Sequence, residues 1–225
     1  MLEGNPWRQL PEAPPFVLPE DDKVLRRYPK LRENLRLDFL PVPFHGSDRA
    51  DILLLSLNPG ARINTLEDDE TFVKERRPGL LFESTSPFPF SCLNPAFSNT
   101  AGYDYWNRRL GSLIERVGRE VVAQRVLLVE YFPYRSSTWR PVPDLPSQRF
   151  GFSIVEKAID EGKLIVVVRG RRYWLDAVPK LRQYDYIELR SPRSGHLSPN
   201  NMSQEGFDRL LAKLESSAPA DVELS

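Results

Sequence analysis

The sequence holds a single cysteine, Cys92, among 225 residues. That scarcity excludes an intrachain disulfide, a zinc knuckle and a cysteine-ligated iron–sulfur cluster together. Long apolar runs are also missing: no stretch approaches the roughly 18 residues of a membrane-spanning helix. Met1 opens on no signal-peptide pattern. A soluble protein of a reducing compartment is expected, cytoplasmic or nucleoid-associated, with no metal and no cofactor. There is no excess of either charge, since Lys plus Arg and Asp plus Glu are 31 each. This argues against a surface coated for bulk nucleic-acid or membrane binding, but permits a local basic groove. Glycines (12) are outnumbered by prolines (21), which predicts long, stiffened loops.

What is present is an alternation of apolar runs and amphipathic stretches. Residues 1–22 carry five prolines and read as an extended arm along the surface. A single domain is expected over 23–216, followed by a flexible tail at 217–225. Four strands are predicted at Asp51–Leu57, Arg125–Phe132, Lys163–Arg169 and Tyr184–Arg190. The first three are near-continuous Val/Ile/Leu runs, the mark of central parallel strands covered on both faces. Helical patterns fall at Lys23–Leu35, Tyr105–Val122, Phe152–Glu161, Tyr173–Leu181 and Ser203–Ser216, the last with Ser203 as N-cap. The implied fold is a three-layer α/β/α sandwich around a four-stranded parallel sheet. Residues 61–104 form a polar, aromatic-rich loop, and loops that long are usually functional.

In open parallel sheets, ligands bind beyond the carboxyl ends of the strands. The first strand ends at Asn58-Pro59-Gly60, good turn chemistry but also a carboxamide on a rigid corner. The second ends at Glu130 and Tyr131. The third runs into Arg169, Arg171 and Arg172, and the fourth into "SPRSGHLSPNN", with His196, Ser198, Asn200 and Asn201. Arg135, Arg140, Arg169, Arg171 and Arg193 follow strands and are expected on one edge. His45, the second histidine, has no partner motif.

"LNPG" after the first strand and "HLSPNN" after the fourth resemble the two signature motifs of the uracil-DNA glycosylase superfamily. The nearest patterns are Gly-x-Asn-Pro-Gly of the mismatch-specific and single-strand-selective branches and His-Pro-Ser-Pro-x-Asn of the latter. The resemblance spans about Ala50 to Leu214. It implies that Asn58 orients the attacking water and that His196 hydrogen-bonds the departing base. It also implies that Pro59 and Gly60 shape the base pocket and that Ser198, Pro199, Asn200 and Asn201 grip DNA. Three positions depart from the pattern: Ser56 replaces Gly, Leu197 replaces Pro, and Glu130 stands where an Asn reads the base. An ionised carboxylate accepts hydrogen bonds but cannot donate one to a uracil carbonyl. Uracil itself is therefore not the expected substrate. Asn200 replaces a Leu wedge of the classical branch, leaving insertion to a residue such as Met202.

Phe88 and Phe90 in "SPFPFS" offer a stacking platform for a flipped base, or a plug onto the core. Tyr131 and Glu130 are candidates for base contact, and Arg169 and Arg171 for phosphate contact. Three functions follow. The first is hydrolysis of an N-glycosidic bond of a flipped base in DNA by a monomer. The second is a non-catalytic nucleic-acid or nucleotide binder, and the third a hydrolase of a small nucleoside-like molecule.

Overall fold

In the computed structural model, which describes residues 4–61, 70–141 and 143–216, five strands form one mixed sheet. They are β1 (Phe44–His45), β2 (Ile52–Ser56), β3 (Val126–Glu130), β4 (Leu164–Val167) and β5 (Ile187–Glu188). Their order is β1-β3-β2-β4-β5, with β3, β2, β4 and β5 parallel and β1 antiparallel on the β3 edge. Every residue of β2, β3 and β4 is buried, as their unbroken Val/Ile/Leu runs require of strands covered on both faces.

The sequence expectation of four strands thus needs one addition. β1 is two residues long and follows Pro41 and Pro43, so neither run length nor alternation marks it. It ends at Gly46, whose φ is +131° and where a Cβ would sit 2.3 Å from the Val126 carbonyl oxygen. Only glycine turns the chain there. β5 is also short, because "YDYIELR" puts charge on an edge and leaves Glu188 exposed beside buried Ile187.

The helices are α1 (Pro19–Leu25), α2 (Pro29–Arg32), α3 (Glu70–Arg76), α4 (Ala101–Arg109), α5 (Gly111–Val117), α6 (Arg119–Arg125), α7 (Gln148–Asp160), α8 (Arg171–Ala177) and α9 (Gln204–Glu215). Alternate strand residues feed two apolar cores. Leu53, Leu55, Leu127, Val129, Ile165 and Val167 meet α7 and α8 through Ile154, Val155 and Trp174. Ile52, Leu54, Val126, Leu128 and Val166 meet α4, α5, α6 and α9 through Trp106, Leu113, Val122 and Phe207. None of the helices among the described residues is long and apolar enough to cross a membrane.

Several boundaries differ from expectation. The stretch Tyr105–Val122 is three short helices rather than one, because Gly118 takes φ +86° between α5 and α6. Lys23–Leu35 is split by Pro29, which opens α2. Within the presumed loop 61–104 lie α3, the start of α4 and three 3-10 turns; residues 62–69 are outside the described residues. Ser203 caps α9 as expected, its hydroxyl accepting from Gly206 N at 3.0 Å. The tail 217–225 lies outside the described residues.

The largest correction concerns the amino-terminal segment. It is not an arm on the surface: Trp7, Leu10, Phe16, Val17 and Leu18 are buried in the first core, and α1 begins inside it. A buried polar knot secures it. Tyr134 donates to Asp21 Oδ2 at 2.7 Å and accepts from Leu18 N at 3.1 Å, while Ser147 N donates to Asp21 Oδ1 at 3.0 Å. Prolines obscured this, since their composition reads as extended chain whether or not the intervening aromatics are buried. Because Asp21 is fully buried, removing its hydroxyl partner leaves a carboxylate oxygen unsatisfied. Tyr134→Phe is expected to lower unfolding free energy by about 1–3 kcal/mol, measured by urea denaturation.

Candidate functional site

At the carboxyl edge of β2 and β3 the chain opens a cavity of about 720 Å³. Parallel pairing sets Ser56 opposite Glu130, so the ends of the two strands deliver Ser56, Asn58 and Glu130 to one wall. Asn58 is half-buried, and both amide hydrogens are committed: Nδ2 donates to Ser136 Oγ at 2.9 Å and to the Pro59 carbonyl at 3.1 Å. Ser136 is itself pinned to this corner, its N–H donating to the Pro59 carbonyl at 3.2 Å. Among the described residues Asn58 Oδ1 has no donor, leaving it able to accept from a ligand or a water molecule.

Glu130 is held from both neighbouring strands. Its backbone N–H donates to the Pro43 carbonyl at 2.9 Å, and its carboxyl hydrogen-bonds the Ser56 side chain. The side chain is buried, and Oε2 has no hydrogen-bond partner. Burial pushes the carboxyl up to about 8, against the lowering pull of the Ser56 hydrogen bond and of Arg169 and Arg135. Glu130 is therefore mostly a neutral acid near pH 7, and the expectation of an ionised carboxylate is corrected. Loss of hydration outweighs the attraction of two guanidinium groups.

Among the described residues, five arginines line the cavity: Arg76 from α3, Arg108 and Arg109 from α4, Arg135 after β3 and Arg169 after β4. Among the described residues, Asp104 is the one carboxylate of its lining besides Glu130. Arg108, Arg109 and Arg169 make no ion pair with the described residues. Arg109 lies over the Tyr105 ring, 3.3 Å from its centroid, and burial lowers its basicity. Arg169 donates to the Pro192 and Arg193 carbonyls at 3.1 and 2.9 Å. The wall is cationic and suits an anionic ligand.

His45 was passed over by sequence motif, yet it lines this cavity. Its ring stacks on Phe90 with centroids 4.9 Å apart, and Nε2 lies 2.7 Å from Ser91 Oγ. Nδ1 has Arg76 Nη1 and Cys92 Sγ each at 3.5 Å. Burial, then Arg76 and Arg135, keep the imidazole well below its ordinary basicity, so it is neutral. A two-residue strand carries no periodicity to announce it. The α4 contribution carries no motif: Trp106 and Leu110 are buried in the core, and Tyr105, Arg108 and Arg109 beside them reach the cavity.

Other expected residues fall elsewhere. Pro59 and Gly60 line the cavity, and so does Arg169, but Tyr131 does not. Strand alternation turns Tyr131 to the other face, where it packs on Phe152, Tyr173 and Trp174. Phe90 is fully buried between His45 and Trp106 and cannot be a platform; Phe88 packs against the same core. Trp139 and Tyr105 supply aromatic lining instead. Arg171 is ion-paired with Glu188, and Arg140, Arg171 and Arg193 are outside the lining.

His196 is exposed and is not part of the cavity wall. Its loop does border the wall, because Leu197 N donates to the Arg109 carbonyl at 2.9 Å and Arg169 grips residues 192 and 193. Asn201 is a staple: Oδ1 accepts from Ser191 N at 2.8 Å, and Nδ2 donates to Ser194 Oγ and the His196 carbonyl at 3.0 and 2.9 Å. That occupation removes it as a DNA contact. Met202 is fully buried, which excludes it as a wedge. Ser198 is half-buried, and Pro199 and Asn200 are exposed.

A second depression, of about 500 Å³, lies by the start of β4 against α9. Its Arg209 and Asp185 neutralise each other at 3.0 Å, and it gathers no comparable set of groups. Compared with protein-family models, curated proteins and solved structures, the chain matches none of them. The site therefore stands on its own chemistry.

The buried acid has a consequence for stability. From about pH 4.5, its ordinary value, to about 8, the folded chain retains a proton that the unfolded chain has released. Stability falls as pH rises through that window and levels off above it. Glu130→Gln removes this loss. The variant is expected to exceed the wild type by a few kcal/mol near pH 8 and by far less near pH 5, read from urea unfolding at both values.

Proposed function

We propose that the cavity binds a nucleotide unit everted from DNA and hydrolyses its N-glycosidic bond, within a three-layer α/β/α architecture of the uracil-DNA glycosylase kind. The observation that supports this best is the joint presence of Asn58 and Glu130 in one arginine-lined cavity at the carboxyl edge of neighbouring parallel strands. With its N–H groups tied to Ser136 and Pro59, Asn58 offers Oδ1 to orient a water toward the sugar carbon. The arginines attract the phosphates and stabilise negative charge that develops on the departing base. Glu130 faces the base, and Trp139 or Tyr105 gives it a stacking surface. His196 has no part in this scheme.

The exposure of His196 favours a second reading, a nucleotide-binding protein without catalysis, since the expected partner of the departing base is outside the cavity. Excision separates the two. Duplex and single-stranded oligonucleotides carrying uracil, hypoxanthine, xanthine or alkylated bases are incubated with the protein, and abasic sites are then cleaved. Release of at least one base is expected, with a loss of about 100-fold or more in Asn58→Ala. Binding without release in any substrate would leave the binder.

DNA affinity should fall steeply with added salt as counterions are released. Replacing Arg169 with Ala is expected to flatten the slope of log K against log salt by about one unit if the guanidinium meets a phosphate. Fluorescence anisotropy across a salt series measures it.

A further inference from the structure

Three of the cavity's arginines are gathered around one loop. Arg108 and Arg109 end α4, Arg169 follows β4, and none of them makes an ion pair with the described residues. Asp104, one turn before Arg108 on the same helix, is not paired with it. Arg171, just outside the lining, is by contrast neutralised by Glu188. The loop after β5 holds the cluster together. Leu197 N donates to the Arg109 carbonyl at 2.9 Å, and Arg169 Nε and Nη2 donate to the Pro192 and Arg193 carbonyls at 3.1 and 2.9 Å. Gly195, at φ +67°, lies so near the Arg109 side chain that a Cβ would meet its Nε at 3.1 Å.

The guanidinium of Arg109 is fixed as well as placed. It lies 3.3 Å from the Tyr105 ring centroid, and Nη1 donates to the Tyr105 carbonyl at 3.3 Å. Nη2 of Arg109, Nη1 of Arg169 and the whole head group of Arg108 have no partner among the described residues. Burial, and beyond it the repulsion of Arg169 and Arg108, lowers the basicity of Arg109. Like charges held together without a counter-charge repel, and an anion between them relieves the repulsion. We propose that Arg108, Arg109 and Arg169 form a subsite for a terminal phosphate group, a phosphomonoester dianion, carried by a mononucleotide or by the end of a nucleic-acid strand.

Charge and shape both favour the terminal group over a phosphate inside a chain. An internal phosphodiester carries a single negative charge and keeps only its two non-bridging oxygens as strong acceptors. A monoester carries about −1.5 to −2 near pH 7 and presents three strong acceptor oxygens. Three guanidinium groups with unengaged N–H edges match that set, since an arginine fork pairs with phosphate oxygens in parallel. Arg76 and Arg135 add to the cationic field of the same cavity, and Trp139 and Tyr105 line it with rings that suit whatever the phosphate carries. This goes beyond the hydrolase reading and does not depend on it.

The test is isothermal titration calorimetry of the full chain at low salt and about pH 7.5, where the monoester is mostly a dianion. The probes are phenyl phosphate, its diester methyl phenyl phosphate, thymidine 5′-monophosphate, and a short thymidine strand with or without a 5′-terminal phosphate. Wild type should bind phenyl phosphate at least about tenfold more tightly than the diester. Arg108→Ala, and Arg109→Lys, which keeps the charge but loses the fork, should each weaken monoester binding by about tenfold. Arg171→Ala should leave it unchanged, and urea unfolding midpoints show that every variant folds. Binding of thymidine monophosphate identifies a mononucleotide source, and affinity gained when the strand is phosphorylated identifies a strand end. Equal affinity for monoester and diester, no binding of phenyl phosphate, or monoester affinity unchanged in both Arg108→Ala and Arg109→Lys overturns the proposal. A monoester preference without Asn58-dependent excision from any oligonucleotide would fail the hydrolase reading alone, and excision without that preference would fail this proposal alone.

Discussion

The two-residue period of the strands is the constraint on which this molecule depends. Because β2, β3 and β4 are buried along their whole length, each successive side chain must enter one of two apolar cores. At the strand ends the same alternation continues past the cores and decides what reaches the cavity. Glu130 enters it, and Tyr131, one residue on, packs against Trp174 on the opposite face. A slip of one residue would exchange them, putting a carboxyl in an apolar core and a phenol in the cavity. Register thus decides the lining of the cavity as well as the filling of the cores.

The same rule governs how firmly the site is held. Ser56 and Glu130 are register partners, so their side-chain contact is a consequence of backbone pairing. Asn58 lies beyond the strand, where Pro59 and Ser136 replace the lost ladder bonds. Groups mounted on strand ends are placed more exactly than groups on free loops. His196 illustrates the contrast. Its loop is stapled internally by Asn201 and externally by Arg169, yet the imidazole is outside the cavity wall.

Much of this arrangement was legible in the sequence because it follows from local patterns. Continuous Val/Ile/Leu runs located β2, β3 and β4, and strand-end reasoning then led to Asn58 and Glu130. Short-range signals failed where long-range packing decides. β1 is too brief to show a period, so His45 read as an isolated histidine. Gly118 cut a helical stripe that the apolar spacing alone carries through. In the amino-terminal segment, proline content outweighed Trp7, Phe16 and Leu18, although Asp21 and Tyr134 bury it through bonds spanning 113 residues of sequence. The protonation of Glu130 was beyond sequence altogether, since it depends on a balance between burial and charges drawn from several elements.

That balance explains why an acid can stand where an amide would be simpler. A neutral carboxylic acid and a carboxamide share one pattern, a donor beside an acceptor. They differ in what surrounds them. An amide is indifferent to nearby cations, whereas an acid among arginines is drawn toward ionisation and must be desolvated to resist. Here a cationic wall and a neutral acid share one cavity. Each arginine moved closer to the carboxyl would erode the acid. Burial of Glu130 between β2 and β3 is what keeps the acid neutral beside that wall.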